Sequence, residues 1–96
     1  MIENAEKRLF EYISKSEMVI SLEGLEEVKH FYEHGEYEMS FEGLVIEFMR
    51  INVYPTDFNF SDWKQLALDY GLHNNSVFDG DFWNKFYRWG KSYPKI

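Results

Sequence analysis

Nowhere in this chain do apolar and polar residues alternate long enough to build a confident strand. Apolar residues instead recur at every third or fourth position, the spacing of one buried helix face. Ile2, Ala5, Leu9, Tyr12 and Ile13 make such a stripe and predict a first helix over 2–14. Ser21 is placed to cap a second helix, which Gly35 ends, with Leu22, Leu25, Val28 and Tyr32 as its buried side. A third helix runs from Glu36 to Asn52 and stops before Pro55. Ser61 suits the N-cap of a fourth, Asp62 to Tyr70, closed by Gly71, with Trp63, Leu66, Ala67 and Tyr70 facing inward. Asp79 suits the cap of a fifth, from Gly80 to Trp89, closed by Gly90. The short β-like runs are Met18-Val19-Ile20 and Ser76-Val77-Phe78. The expected fold is an all-α bundle of about five helices.

The 96 residues show no repeat, low-complexity run or Gly/Ser linker, so a single helical domain over 1–96 is expected. A chain this short buries roughly 60–65% of its unfolded surface, enough for one core. Aromatics at 20% of residues supply that core with large apolar area and argue against disorder. No apolar run approaches the ~20 residues that span a bilayer, so no membrane partner is expected. The opening residues lack the charged-then-apolar order of a signal peptide. Without cysteine there is no disulfide framework and no thiolate zinc site, which fits a reducing compartment. The expected location is cytoplasmic.

Charge narrows the function further. The net charge is −7, and it is not spread evenly. Residues 1–50 hold 12 acids and 5 bases, whereas residues 51–96 hold 5 of each. Between Glu17 and Glu47 there are nine glutamates and one base, Lys29. Such a field repels phosphate backbones, so direct binding of nucleic acid is not expected. It attracts a basic partner and speeds the encounter with it. The plainer alternative is a charge that only keeps the chain soluble.

The third helix is apolar on two sides. Tyr37, Phe41, Leu44, Val45, Phe48 and Ile51 share one face, and Met39, Ile46 and Met49 lie on the other. Glu36, Ser40 and Glu47 form one polar strip between them, Glu38 and Glu42 the second. This is the pattern of a central helix packed on both sides. Alternatively, the Met face meets a partner inside an acidic rim. Gly43 costs this helix about 1 kcal/mol relative to Ala, which a close approach there would explain.

One stretch has a catalytic look. His30-Phe31-Tyr32-Glu33-His34 matches H-x-x-E-H, in which two histidines one turn apart can hold zinc and the glutamate can act as base. Gly35 follows at once, however, and leaves His34 in the last turn, where the helix dipole favours it anyway. A third ligand would have to come from elsewhere, and the remaining histidine is His73. No nucleophile motif, phosphate loop or dinucleotide fingerprint is present. The acids sit at exposed helical spacings, with no sign of a buried pair suited to acid–base work. The segment Asp81 to Trp89 mixes bases with aromatics, as single-strand binders do. Its Phe82, Phe86 and Trp89 nevertheless line one stripe opposite Lys85 and Arg88, the layout of a core-facing amphipathic helix, with Trp83 and Tyr87 at the stripe's edge. No cofactor, no metal and no catalysis are expected.

The stretch Val28 to Leu44, above all Tyr32-Glu33-His34-Gly35-Glu36-Tyr37-Glu38-Met39 followed by Phe41-Glu42-Gly43-Leu44, resembles small acidic bacterial immunity proteins of contact-dependent growth-inhibition and other polymorphic toxin systems. The likeness is closest to the MafI-like family paired with EndoU-type RNase toxins. Leu22-Glu23-Gly24-Leu25 and the Asp62-Trp63 helix agree more loosely, so the likeness covers about two thirds of the chain. The resemblance implies a cytosolic, non-enzymatic protein that binds one cognate toxin and blocks its active site. The charge reading agrees, because an RNase cleft must be cationic to hold phosphate. The expected partner is therefore a basic nuclease toxin domain. Glu33, Glu36, Glu38, Glu42 and Glu47 are the expected contacts, with Trp83 and Tyr87 as a second candidate patch. The runner-up function is an acidic adaptor or nucleic-acid mimic that antagonises another basic partner. A third reading, from another class, is a small metal-dependent hydrolase using His30, Glu33 and His34.

Overall fold

The helical spacing is realised as α1 (Ile2–Lys15), α2 (Leu22–Glu33), α3 (Tyr37–Ile51), α4 (Phe60–Asp69) and α5 (Phe82–Lys91). The computed structural model describes residues 2–93, with side chains from residue 4, and contains no strand among them. The all-α expectation therefore holds. Side chains from all five helices meet in one core.

In α1, Ala5, Leu9 and Ile13 are buried at a four-residue period. Tyr12 stacks on Trp63 of α4 at 4.4 Å between ring centroids. The side chain of Ile2, expected on this stripe, lies outside the described ones. The helix stops at buried Ser16, whose hydroxyl donates to the Tyr12 carbonyl at 2.6 Å. The run Met18-Val19-Ile20 is a turn rather than a strand: Val19 and Ile20 donate back to the Ser16 carbonyl, and Ile20 plugs the core. Met18 at its tip is left-handed, with φ 71°, and fully exposed.

Ser21 caps α2 as expected, its hydroxyl accepting from the Gly24 amide at 3.1 Å. Gly35 closes the helix in the left-handed region, φ 75°, with Gly35 N–H donating to Tyr32 and Glu36 N–H to Phe31. These paired bonds satisfy carbonyls that the helix end would otherwise orphan, and they bring α3 back antiparallel. Leu22 is not on the buried side, being 71% exposed. The face turned to α3 is Gly24, Leu25 and Val28, and this rotates Leu22 outward.

Helix α3 contacts each of the other four helices. Helix α3 is therefore central, but its two apolar sides are not equally packed. Phe41, Leu44, Val45 and Phe48 are completely buried, while Tyr37 is half-buried and Ile51, on the last turn, emerges into solvent. Met39, Ile46 and Met49 are half-buried. Ser40 is buried too, its hydroxyl donating to the Val28 carbonyl at 2.9 Å. Gly43 is not explained by close approach, since a Cβ there would meet Val28 and Phe78 at ordinary contact distances of 3.7 and 3.9 Å.

The last two helices depart from expectation at their ends. Asn59, not Ser61, caps α4, its side-chain oxygen accepting from the Asp62 amide. Both are good cap residues. The earlier start takes Phe60 into the helix and lays its ring against Phe86 and Gly90 of α5. Helix α5 begins at Phe82 rather than Gly80, with Asp79 holding the Asp81 amide and the Lys85 ammonium just before it. Gly90 lies inside α5, where any side chain would collide with the Phe60 ring, so it is a packing residue and not a stop.

Candidate acidic interface

The exposed side of α2 follows from the burial of the other. With Leu25 and Val28 turned to α3, positions 23, 26, 27, 30, 33 and 34 are left to solvent, and all six side chains are exposed. Four of them are glutamates. The Gly35 turn then adds exposed Glu36 and Glu38, the latter on the first turn of α3. None of Glu23, Glu26, Glu27, Glu33, Glu36 and Glu38 is ion-paired among the described residues. Lys29, the one base of this stretch, is held by Glu17 at 3.1 Å. The outcome is an uncompensated anionic strip that runs along α2 and around its end.

Of the expected contact residues, the structure brings Glu33, Glu36 and Glu38 together on this strip. Glu42 does not belong to it. Its side chain is completely buried. One carboxylate oxygen accepts from the Val77 amide at 2.6 Å, and the other from Phe78 at 2.9 Å and Asp79 at 3.1 Å. Three backbone donors converging on acceptor oxygens offset the desolvation that burying such a group costs. Glu42 is thus a staple that pins the loop between α4 and α5 across α3. Glu47 is withdrawn as well: its side chain is 15% exposed, pairs with Arg50 and lies across Gly24, where a Cβ would come within 2.5 Å of its carboxyl carbon.

Trp83 and Tyr87 form a separate place. Both are half-buried on α5, which makes no contact with α2 among the described residues. Trp83 lies 5.9 Å from His73, and Tyr87 carries the ammonium groups of Lys64 and Lys91 over its ring at 5.4 and 5.6 Å. Between α3 and α5, an open groove of about 590 Å³ includes Ile46, Met49, Arg50, Arg88 and Trp89 in its lining.

The H-x-x-E-H stretch lies on the exposed strip. The His34 ring nitrogen Nδ1 is 2.8 Å from the His30 carbonyl, a capping contact at the end of its own helix. The two imidazoles lie 4.2 Å apart between ring centroids, tilted by 43°. No group of three or more metal-binding side chains gathers among the described residues. Tyr70 is the most strongly shifted titratable group: burial, with Glu6 adding to it, pushes its phenol far up. That direction disfavours a phenolate base or nucleophile. Asp79 moves the other way, its carboxyl held low by the hydrogen bond from Lys85 and then by the Asp81 amide.

Two exposed apolar residues ride on the Glu42 staple. Val77 is 45% and Phe78 48% exposed, although their backbone is pinned. Phe78 also meets Phe31 of α2 at 5.6 Å, and Phe31 in turn neighbours His30 at 6.1 Å. An apolar spot thus borders the acidic strip. The sequence reading missed it by treating Val77-Phe78 as a weak β-like run. The usable signal was the long interval between α4 and α5, which needs an anchor. Compared with protein-family models, curated proteins and solved structures, the chain matches none.

Proposed function

We propose that this protein is a non-enzymatic inhibitor that binds a basic nuclease toxin domain, of the EndoU type suggested by the resemblance, and covers its cationic cleft. The observation that carries this reading is the strip of six exposed glutamates on α2, the α2–α3 turn and the start of α3, none of them ion-paired among the described residues. An RNA-binding cleft presents cations where phosphates sit, and carboxylates fixed on a helix can occupy the same positions. A rigid helix pair holds the acids in place, so little ordering is needed on binding.

The test begins with a search for a nuclease-toxin gene beside this one, whose absence would count against the reading, and then uses the nuclease domain that it encodes. The wild-type chain should bind it and suppress RNA cleavage. Glu36→Lys with Glu38→Lys should slow association by tenfold or more, because charges at the rim act on the on-rate. The melting temperature should hold, since such surface changes are usually worth within about 0.5 kcal/mol. The wild-type on-rate should also fall with added salt, as the Debye length shortens from about 10 Å at 0.1 M to about 3 Å at 1 M. Undiminished binding by a stable double variant would move the contact elsewhere, to Trp83 and Tyr87 first.

A further inference from the structure

Acids alone set an on-rate; a lasting complex also needs a desolvated apolar anchor. The surface offers one beside the strip. Val77 and Phe78 lie close to half exposed, yet three hydrogen bonds from consecutive amides to buried Glu42 fix their backbone. The Phe78 ring is further steadied by Phe31. A carboxylate buried to hold a loop that leaves a Val-Phe pair in water is a costly arrangement if that pair does nothing. It is what an anchor requires, because the ordering has been done before the partner arrives.

We infer that Val77 and Phe78, with Phe31 beside them, form a preorganised apolar anchor that inserts into a pocket on a basic protein partner. The inference rests on the proposed reading of the chain as an inhibitor of a basic protein and adds to it where the dissociation rate is set. Charge fixes the choice of occupant. Phe31 lies on α2 one turn after Glu27 and immediately beside His30. The spot is therefore approached through the acidic strip, and a basic surface is drawn to it. A second copy of this chain, docked about a two-fold axis, would face the same glutamates with its own, and like charges oppose that pairing. An anionic membrane surface is repelled for the same reason.

The probe is the nuclease domain found by the neighbouring-gene search above, with association and dissociation rates measured separately. Phe78→Ser should weaken binding about 30-fold or more, the size of a hot-spot loss, through faster dissociation. Its on-rate and the salt dependence of that rate should match wild type, unlike those of the Glu36→Lys, Glu38→Lys variant. Val77→Ser should act in the same direction, and both variants should melt within a few degrees of wild type. If the wild type binds and stable Phe78→Ser dissociates at the wild-type rate, the anchor is refuted while the inhibitor reading stands. If the wild type does not bind the nuclease domain, the inhibitor reading fails and the anchor with it. Self-association in sedimentation that Phe78→Ser abolishes would overturn the inference in favour of a second copy.

Discussion

Replacing Glu42 with Gln changes almost nothing in size and should nonetheless be among the costliest single substitutions in this chain. The three amides of Val77, Phe78 and Asp79 point donors at its two oxygens. A glutamine offers one oxygen and one NH₂ group. The better of its two orientations keeps the oxygen on Phe78 and Asp79, which already share one, and turns NH₂ toward the Val77 amide. Val77 then faces donor to donor, and an unsatisfied buried donor costs about 1–3 kcal/mol. The two surviving bonds lose their charge assistance and about half their strength, roughly another 1 kcal/mol. The sum is about 2–4 kcal/mol, out of a total of about 5–15 kcal/mol for a typical domain. At about 4–8 °C per kcal/mol for a domain of this size, the melting temperature should fall by at least about 8 °C. Urea denaturation gives the free energy, and hydrogen exchange at residues 77–79 shows whether the loop opens before the rest. A Glu42→Gln variant within about 0.5 kcal/mol of wild type, with those amides still protected, would refute the staple.

Two glycines should respond in opposite directions: Gly43→Ala has room and should stabilise by about 0.5–1 kcal/mol. Gly90→Ala drives a methyl into the Phe60 ring and should cost about 1–3 kcal/mol in the same denaturation assay. Tyr70→Phe should be neutral or stabilising, because the buried Tyr70 hydroxyl has no hydrogen-bond partner among the described residues and the change removes an unsatisfied group. Asp79 has a folded-state pKa below its ordinary 3.8, so the stability it contributes is present above that value and is lost as pH falls through the lower folded value. Lys85→Ala should bring the Asp79 titration, followed by NMR, back up toward 3.8.

The fold was legible because burial at three- and four-residue spacing leaves little choice of element. Trp63, Leu66 and Ala67 mix odd and even positions, so they can all face inward on a helix but not on a strand. What failed were readings in which the neighbouring element decides. Leu22 fits an inward stripe by spacing, but α2 turns its Gly24 side to α3. Gly90 looks like a stop until Phe60 is placed against it. Glu42 shares a helical strip with exposed Glu38, and only the path of a loop some 35 residues further on distinguishes the two. The acidic strip was legible for a simple reason: exposure of Glu33, Glu36 and Glu38 follows from the helix and its glycine turn, with no long-range partner needed.

The same contrast between near and far partners sets an order in time. Helices α2 and α3 share the largest contact between any two elements and are joined by three residues. Closing so short a link costs little chain entropy, so this hairpin can assemble while the rest of the chain is still open. The bonds that the Val77, Phe78 and Asp79 amides donate to Glu42 close a loop of 35 to 37 residues and cannot form until α3 exists and α4 has folded back. They therefore belong to the late side of the folding barrier. Loosening them should leave the folding rate nearly untouched and appear as faster unfolding. In this chain Glu42 acts as a latch on the exit from the native state, one that is set only after the acidic helix pair is already in place.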